Sequence, residues 1–300
     1  MYSIVKPDIF DYSTNLSLFE ELTVKFPFLK PRIQGRTSLG RGIFSLSVGS
    51  EKNSVLLAGG FHGSEWLTSL VLYLFTERLC RHISDGTLMC GVDIEKAFSQ
   101  LGVTVIPCVN PDGVEIATHG VEGAKGLRHF IASVECEDYR KWNANALGVD
   151  INHNFNAGWD KLRQMEREEG IDGPSPTRYG GKHAESEAET RTLTRLCRIK
   201  PFRSVMAIHS QGEELFWQYG DKTPKASGIM AKIISDSCGY KLVDNSGLYS
   251  HGGFKDWFID EFSLPGFTME IGKGENPLPK EMLYEIYGRI EEALLLFCLM

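Results

Sequence analysis

The sequence has no apolar run that could cross a lipid bilayer. Its longest apolar stretches, such as Val103–Val109 and Ala293–Met300, are much shorter than the roughly 20 residues that a membrane-spanning helix requires. The first residues also lack the basic segment and apolar core of a secretory signal. We therefore expect no membrane partner and a cytoplasmic location.

Closely spaced cysteines are absent as well. The seven cysteines are scattered along the chain, and no two of them form a Cys-x-x-Cys motif. This spacing argues against both a thiolate metal site and a disulfide framework. We predict reduced thiols.

An excess of positive charge is also missing. Lys and Arg total 32 against 39 Asp and Glu, and the net charge is −7. Proteins that bind nucleic acid usually carry a basic surface, so this balance argues against a nucleic-acid partner. No internal repeat or low-complexity linker interrupts the 300 residues, which are enough for one large domain with a sizeable core.

Short β-type runs alternate with helical patterns along most of the chain. The predicted strands are Ile43–Val48, Val55–Phe61, Val103–Val109, Ser204–His209 and Gly266–Ile271, and the predicted helices are Trp66–Arg81, Glu185–Arg198, Gly228–Ser237 and Lys280–Cys298. This alternation is typical of a mostly parallel sheet covered by helices on both faces. The sequence therefore predicts an α/β fold.

Four residues capable of chemistry stand at or just beyond the ends of predicted strands. They are His62, Asn110, His209 and Glu270. In open α/β sheets, ligands bind beyond the carboxyl ends of the strands. One shared site explains these positions better than four independent coincidences do.

His62 and Glu65 are three residues apart in a glycine-rich turn. In a turn from strand to helix, this spacing lets an imidazole nitrogen and a carboxylate converge on one point. A catalytic zinc ion takes three protein ligands and keeps one position for water, so a third ligand must come from elsewhere, and His209 is our choice. Taken alone, the His-x-x-Glu spacing also fits a solvated pair at the start of a helix.

Further segments follow in an order that is known from one family. They are Asn110-Pro111-Asp112-Gly113, Gly148-Val149-Asp150-Ile151-Asn152-His153-Asn154-Phe155, His209-Ser210 and Phe267-Thr268-Met269-Glu270. Together with His62-x-x-Glu65 they resemble the zinc carboxypeptidases of the carboxypeptidase A type. The resemblance implies one catalytic domain over residues 1–300, with a core at about 40–295 and a mixed, mostly parallel eight-stranded sheet flanked by helices. It also implies one Zn²⁺ ion bound by His62, Glu65 and His209.

The resemblance implies roles for residues around the metal. Asp150 matches the carboxylate that accepts a hydrogen bond from the first zinc histidine and fixes its tautomer. Glu270 matches the general base, which takes a proton from water and later gives one to the leaving amine. Tyr249 lies near the position of a mobile tyrosine that closes over the substrate.

The group that stabilises the oxyanion is less well defined by the resemblance. In the family an arginine follows a tryptophan in this region, whereas here Asn143 follows Trp142. Arg140, which precedes that tryptophan, is our candidate for the donor. An exposed loop arginine is the alternative reading of Arg140.

Two arginines that ordinary carboxypeptidases use to bind the substrate are missing. The Asn-Arg pair that holds a C-terminal carboxylate reads Asn152-His153, and Ser64 replaces the arginine between the first two ligands. A histidine cannot copy the planar, permanently charged fork of an arginine. We therefore expect conserved chemistry on a different substrate, with Asn152, His153 and Tyr249 still among the substrate-binding residues.

Other segments resemble the bacterial subgroup that cleaves γ-D-glutamyl–diamino acid bonds of cell-wall peptides. They are Asn152–Trp159, His209–Trp217, Gly253–Phe258 and Glu270–Pro277. This resemblance implies a murein-derived peptide as substrate, with meso-diaminopimelate or lysine after the cleaved bond. Because that end of the substrate is zwitterionic, side chains of both signs, such as Glu213, Lys255 and Lys273, would suit it. Solvated surface charges are the alternative.

Three other functions fit parts of the pattern. One is a zinc carboxypeptidase of other specificity. Another is an aspartoacylase- or desuccinylase-like zinc deacylase, which shares the ligand order, although the Asn110–Gly113 and Gly148–Phe155 segments favour the peptidase. The third, an inactive binding module, is disfavoured by the retained Glu270. Without a secretion signal or wall anchor, the enzyme is expected in the bacterial cytoplasm.

Overall fold

A computed structural model describes residues 3–243 and 251–300 of the chain. The strands are β1 (Lys30–Arg36), β2 (Gly42–Gly49), β3 (Ser54–Gly59), β4 (Leu88–Met89), β5 (Val92–Asp93), β6 (Gly102–Ile106), β7 (Phe202–His209), β8 (Glu214–Phe216), β9 (Lys241–Val243) and β10 (Gly266–Glu270). The α-helices are α1 (Tyr12–Lys25), α2 (Leu67–Asp85), α3 (Ile94–Phe98), α4 (Pro111–His119), α5 (Arg128–Ser133), α6 (Trp159–Glu168), α7 (Ala188–Ile199), α8 (Lys225–Cys238), α9 (Phe254–Phe262) and α10 (Leu283–Leu299).

Eight strands form one sheet in the order β1-β2-β6-β3-β7-β10-β8-β9, and β4 pairs with β5 separately. The pairs β6-β3, β3-β7, β7-β10 and β8-β9 are parallel, and the other three pairs are antiparallel. This confirms the predicted mixed, mostly parallel eight-stranded sheet. Because β3, β7 and β10 run in the same direction side by side, their carboxyl ends meet at one edge of the sheet.

Two apolar cores cover the two faces of the sheet. On one face, α2, α8 and α10 pack against strand residues such as Leu57 and Met206. On the other face, α7 and α9 pack against Leu56 and Val205. Successive residues of a strand point to opposite faces, so the central strands are buried on both sides and read as continuous apolar runs.

The predicted strands and helices are all present, with shifted ends. The run that was expected to reach Val109 ends at Ile106, since Pro107 has no N–H to continue the ladder. The helix that was expected to end at Arg81 continues to Asp85. In the described part of the chain, no helix combines the length and the apolar character that crossing a membrane requires.

Candidate metal centre and active site

The turn between β3 and α2 presents two of the metal-binding residues. β3 ends at Gly59, and Gly63–Glu65 form a short 3₁₀ turn before α2 begins. Position 63 requires glycine because a Cβ there would lie 2.3 Å from the Gly113 carbonyl oxygen. Because the two segments approach closely, the segment around Asn143 supports the turn: the Gly63 N–H donates to the Asn143 carbonyl oxygen at 3.2 Å.

His62, Glu65 and His209 converge at the carboxyl ends of β3 and β7. The Glu65 carboxylate lies between the two imidazoles, with Oε1 2.8 Å from His62 Nδ1 and Oε2 3.0 Å from His209 Nδ1. One potential ligand atom from each residue lies within 4.8 Å of the other two. The sequence predicted this trio, and the fold brings it together across 144 residues.

The chemistry of the trio fits zinc. Two imidazoles and one carboxylate are zinc donors, and three protein ligands leave a position for water, as in catalytic zinc sites. Metal ligands must be deprotonated. Burial disfavours the charged form of Glu65, yet His62 and His209 lower the pKa of its carboxyl to about 2. An ionised carboxylate therefore already faces both Nδ1 atoms.

Asp150 supports His62 from the side away from Glu65. Its Oδ1 lies 3.1 Å from His62 Nε2, and its Oδ2 accepts from the Arg178 N–H at 2.9 Å. Burial alone would raise the pKa of the Asp150 carboxyl, but His62, His153 and the hydrogen bonds hold it well below its ordinary value. An ionised Asp150 makes His62 Nε2 the protonated nitrogen and leaves Nδ1 available to a metal.

Glu270 ends β10, next to the strand that carries the third ligand. In the parallel register of β10 and β7, Glu270 is paired with His209. The side chain is half-buried. Burial and then the negative charge of Glu65 raise the pKa of the Glu270 carboxyl well above its ordinary value. The arrangement places a carboxyl group that favours holding a proton beside the metal-binding trio.

The two candidate oxyanion donors lie in different surroundings. The Arg140 side chain is 76% exposed and pairs with Asp138 at 2.9 Å. Asn143 is half-buried, and its Oδ1 accepts from the Ser64 hydroxyl at 2.5 Å. The structure thus brings Asn143, which the sequence had not favoured, against the ligand turn. The role of Arg140 stays a prediction.

Asn152 and His153 lie in the segment that follows Asp150. The Asn152 Oδ1 accepts from the Phe254 N–H at 3.0 Å, which ties this segment to the start of α9. His153 Nδ1 lies 2.8 Å from Glu166 Oε1. Burial lowers the pKa of the His153 imidazole, but Asp150 and Glu166 outweigh that effect and raise it above its ordinary value. A cationic histidine is therefore favoured where the family has arginine.

The other two predicted substrate-binding residues are Lys273 and Tyr249. Lys273 is 71% exposed and pairs with Glu213 at 2.7 Å. Tyr249 lies outside the described residues, so its predicted role stays a prediction.

Lys255 and Asp256 form a buried ion pair, of which the sequence suggested only Lys255. Both side chains are buried, and their charged groups contact each other.

Asn110, which the sequence placed among the residues at strand ends, has a supporting role. Its Nδ2 donates to the Phe61 carbonyl oxygen at 3.0 Å and to the Ala144 carbonyl oxygen at 3.2 Å. Its Oδ1 accepts from the Gly113 N–H at 2.8 Å and so caps α4. The fully buried amide thus joins the ligand turn, α4 and the segment around Asn143.

Comparisons with known proteins identify the family. The model of the zinc carboxypeptidase family matches residues 16–288. Gamma-D-glutamyl-L-diamino acid endopeptidase 1 of Lysinibacillus sphaericus is 29% identical over 290 residues, which are 96% of this chain and 71% of that protein.

Solved structures agree with the fold. Bovine thrombin-activatable fibrinolysis inhibitor, in complex with tick carboxypeptidase inhibitor, has a TM-score of 0.76 at 18% identity and covers 97% of both chains. Murein-tripeptide amidase MpaA of Escherichia coli O157 has a TM-score of 0.56 at 22% identity and covers 89% of this chain and 91% of its own. The chain belongs to the zinc carboxypeptidase family and is a zinc peptidase, with His62, Glu65 and His209 as its zinc-binding residues.

Proposed function

We propose that this zinc peptidase hydrolyses the bond between γ-D-glutamate and a diamino acid, meso-diaminopimelate or lysine, in murein-derived peptides. The relative from Lysinibacillus sphaericus is named for the same bond, and the Escherichia coli neighbour is named for a murein tripeptide. Both likenesses are moderate in sequence, so the proposal depends on the substrate side of the site.

The buried ion pair of Lys255 and Asp256 carries the proposal. Lys255 is 5% exposed and Asp256 is 4% exposed. The Lys255 ammonium also donates to the Gln218 carbonyl oxygen at 2.8 Å. Burying two charges is costly, and an ion pair is only weak evidence for stability. A pair of opposite charges suits a zwitterionic ligand, since its ammonium and carboxylate can each meet an opposite charge.

The pair adjoins the segment that we assign to substrate binding. A Cβ at Gly253 would lie 3.1 Å from Asp256 Oδ2 and 3.5 Å from Asn152 Oδ1, so only a glycine separates the two side chains. We assign Asn152 and His153 to the peptide between the metal and this pair, with Tyr249 and Lys273 as further contacts. His153, favoured as a cation, would meet a substrate carboxylate.

The residues of the chain have separate tasks in the reaction. A zinc ion held by the trio supplies a Lewis acid for the scissile carbonyl and lowers the pKa of water. Glu270 takes a proton from the attacking water, holds it, and gives it to the departing amine. The raised pKa of Glu270 makes its carboxylate a stronger base towards water and lets the carboxyl hold the proton until the amine departs. Asp150 keeps His62 in the tautomer that binds the metal.

A panel of four substrates tests the proposal. The zinc-loaded protein is incubated with L-Ala-γ-D-Glu-meso-diaminopimelate, its lysine analogue, a peptide with an ordinary C-terminal residue, and an N-acyl aspartate. We expect kcat/KM for a γ-D-glutamyl substrate to exceed the others by at least about 100-fold, or ~3 kcal/mol. Preference for the ordinary peptide or for the N-acyl aspartate would overturn the proposed specificity.

The matched variant for this panel is Lys255→Met, which keeps the length of the buried stem and removes its charge. It is expected to raise KM for the diamino acid substrates and to leave zinc content unchanged. An unchanged KM would show that the ion pair of Lys255 and Asp256 does not contribute to specificity.

A further inference from the structure

Hydrolysis of an amide passes through a tetrahedral species whose oxyanion needs a hydrogen-bond donor in a fixed position. The sequence offered only Arg140 for this purpose. Its guanidinium is three-quarters exposed and is already engaged by Asp138. The neighbouring Lys141 ammonium is also exposed and lies 3.9 Å from the Glu275 carboxylate. Neither cation is held at the metal-binding trio by a contact in the described structure.

Asn143 is held there by its main chain. Its N–H donates to the Pro176 carbonyl oxygen at 2.9 Å, and its carbonyl oxygen accepts from the Gly63 N–H at 3.2 Å. A second donor to that carbonyl oxygen is Asn110 Nδ2 at 3.3 Å. Because Gly63 lies between the ligands His62 and Glu65, these bonds fix Asn143 directly against the ligand turn.

The Asn143 side chain is oriented by Ser64, which is 2% exposed and lies on the turn that carries Glu65. The Ser64 hydroxyl donates to Asn143 Oδ1 at 2.5 Å. The two N–H groups on Nδ2 therefore point away from Ser64, and within the described residues they have no hydrogen-bond partner. A half-buried amide whose acceptor is occupied and whose donors are free is prepared to bind an oxygen anion.

We propose that the Asn143 side-chain amide donates the hydrogen bond that stabilises the oxyanion, with Ser64 as its positioning residue. The inference rests on the zinc-peptidase activity within the proposed function, and it holds for whichever amide bond the enzyme cleaves. A neutral amide carries less charge than an arginine, but it loses less solvation in a half-buried site. Its contribution depends on being fixed in advance, which the Ser64 contact and the main-chain bonds provide.

The test compares Asn143→Asp and Asn143→Ala with wild type on the best substrate of the panel. Asn143→Asp keeps the acceptor for Ser64 but replaces the donor by a carboxylate oxygen and adds a negative charge, whereas Asn143→Ala removes the amide without adding charge. Both variants are expected to lose about 100- to 1000-fold in kcat with KM changed by less than about threefold, which is the size of effect known for one oxyanion donor. Asn53→Asp, at an exposed position, is the matched control.

A second readout does not depend on turnover. Binding of a phosphonate analogue of the tetrahedral species is measured by calorimetry, with zinc content and thermal unfolding of each variant recorded alongside. We expect the phosphonate to bind Asn143→Ala at least about 30-fold more weakly, while binding of the cleaved product changes little. Ser64→Ala should show a smaller kcat loss with the same unchanged KM.

Two results would overturn the inference. One is retention of kcat within about twofold by Asn143→Ala, and the other is a large kcat loss in Arg140→Ala with none in Asn143→Ala. Failure of the proposed murein specificity is separate, because it appears as wild-type inactivity on γ-D-glutamyl peptides while another panel substrate is cleaved.

Discussion

At the scale of single residues, the contact between Asp150 and His62 is expected to govern metal affinity. Replacing Asp150 by Asn removes the negative charge that favours a proton on His62 Nε2. Partners of this kind change metal affinity by about 10- to 100-fold, so we expect zinc binding to weaken by that factor. Competition with a fluorescent chelator measures it. Asp172→Asn, on the exposed surface, is the control, and equal affinities in the two variants would contradict the assignment.

Glu189 is a second residue with a measurable consequence. Its side chain is fully buried, Oε2 accepts from Asn145 Nδ2 at 3.3 Å, and Oε1 has no partner within the described residues. Burial, followed by the charge of Asp112, raises the pKa of Glu189 to about 8. The folded protein therefore holds this carboxyl neutral up to mildly alkaline pH.

The sign of the resulting pH dependence follows from linkage. Below pH ~4.5 Glu189 is protonated in both the folded and the unfolded chain, and above that pH only the unfolded chain releases the proton, until pH ~8. Wild type thus loses stability across this window, whereas Glu189→Gln does not titrate there. We expect Glu189→Gln to gain on wild type by a few kcal/mol, on the order of 1.4 kcal/mol for each pH unit, between pH 5 and pH 8.

Urea unfolding at pH 5, 6.5 and 8 measures the difference, with Glu281→Gln at an exposed position as the control. A stability difference between Glu189→Gln and wild type that is the same at all three pH values would show that Glu189 is ionised in the folded protein.

Among the site residues, the metal ligands could be predicted from the sequence, but the contact of Ser64 with Asn143 could not. His62 and Glu65 are close together in sequence, so their spacing could be recognised. Zinc accepts few types of side chain, which limits the candidates for the third ligand. The contact of Ser64 with Asn143 joins positions 79 residues apart, and no spacing rule connects a serine to an asparagine at that separation. Arg140 was predicted as the oxyanion donor because of its positive charge, but in the structure its guanidinium forms an exposed ion pair with Asp138.

At the scale of elements, Arg41 joins the start of β2 to α4. Its guanidinium contacts Asp112 Oδ1 and Glu115 Oε2, each at 2.8 Å, and Asp112 is fully buried. Removing one partner of a buried pair leaves an uncompensated charge, so Arg41→Ala should destabilise the protein by about 3–5 kcal/mol. Urea unfolding tests this.

Two comparisons sharpen the Arg41 prediction. Arg128→Ala breaks an exposed pair with Glu122 and should cost less than about 1 kcal/mol. Combining Arg41→Leu with Asp112→Leu should cost less than Arg41→Ala alone, because no buried carboxylate is then left at position 112. If Arg41→Ala and Arg128→Ala destabilise the protein equally, the Arg41 pair does not join the two elements as described.

Predictability followed burial for the strands, for α1 and for α2, but not for α9, which has six buried residues and was not predicted. The central strands and α2 are apolar over long runs, and all were predicted. In α1 only three side chains are buried, so its apolar periodicity is weak and the helix was not predicted. The edge strand β1 has no buried residue, and β8 and β9 have three residues each. Such elements form because the rest of the sheet offers them a partner, which their own residues do not reveal.

At the scale of the whole molecule, the trio joins the end of β7 to the turn between β3 and α2, so metal binding should stabilise the fold. Zinc in 100-fold excess over its Kd is expected to add about 2.7 kcal/mol and to raise the Tm by several degrees. Calorimetry with and without a chelator measures the shift. His209→Ala should lose most of this response, and a chelator that leaves the wild-type Tm unchanged would contradict the metal assignment.

The central claim is that the chain hydrolyses a γ-D-glutamyl–diamino acid bond with Glu270 as the base. Mass spectrometry of L-Ala-γ-D-Glu-meso-diaminopimelate cleaved in H₂¹⁸O tests it most directly. One ¹⁸O atom should appear in the Ala-Glu fragment and none in released diaminopimelate, and Glu270→Gln, with its zinc content retained, should slow the labelling at least about 1000-fold. Label in a fragment from another bond, or unchanged labelling by Glu270→Gln, would contradict the claim.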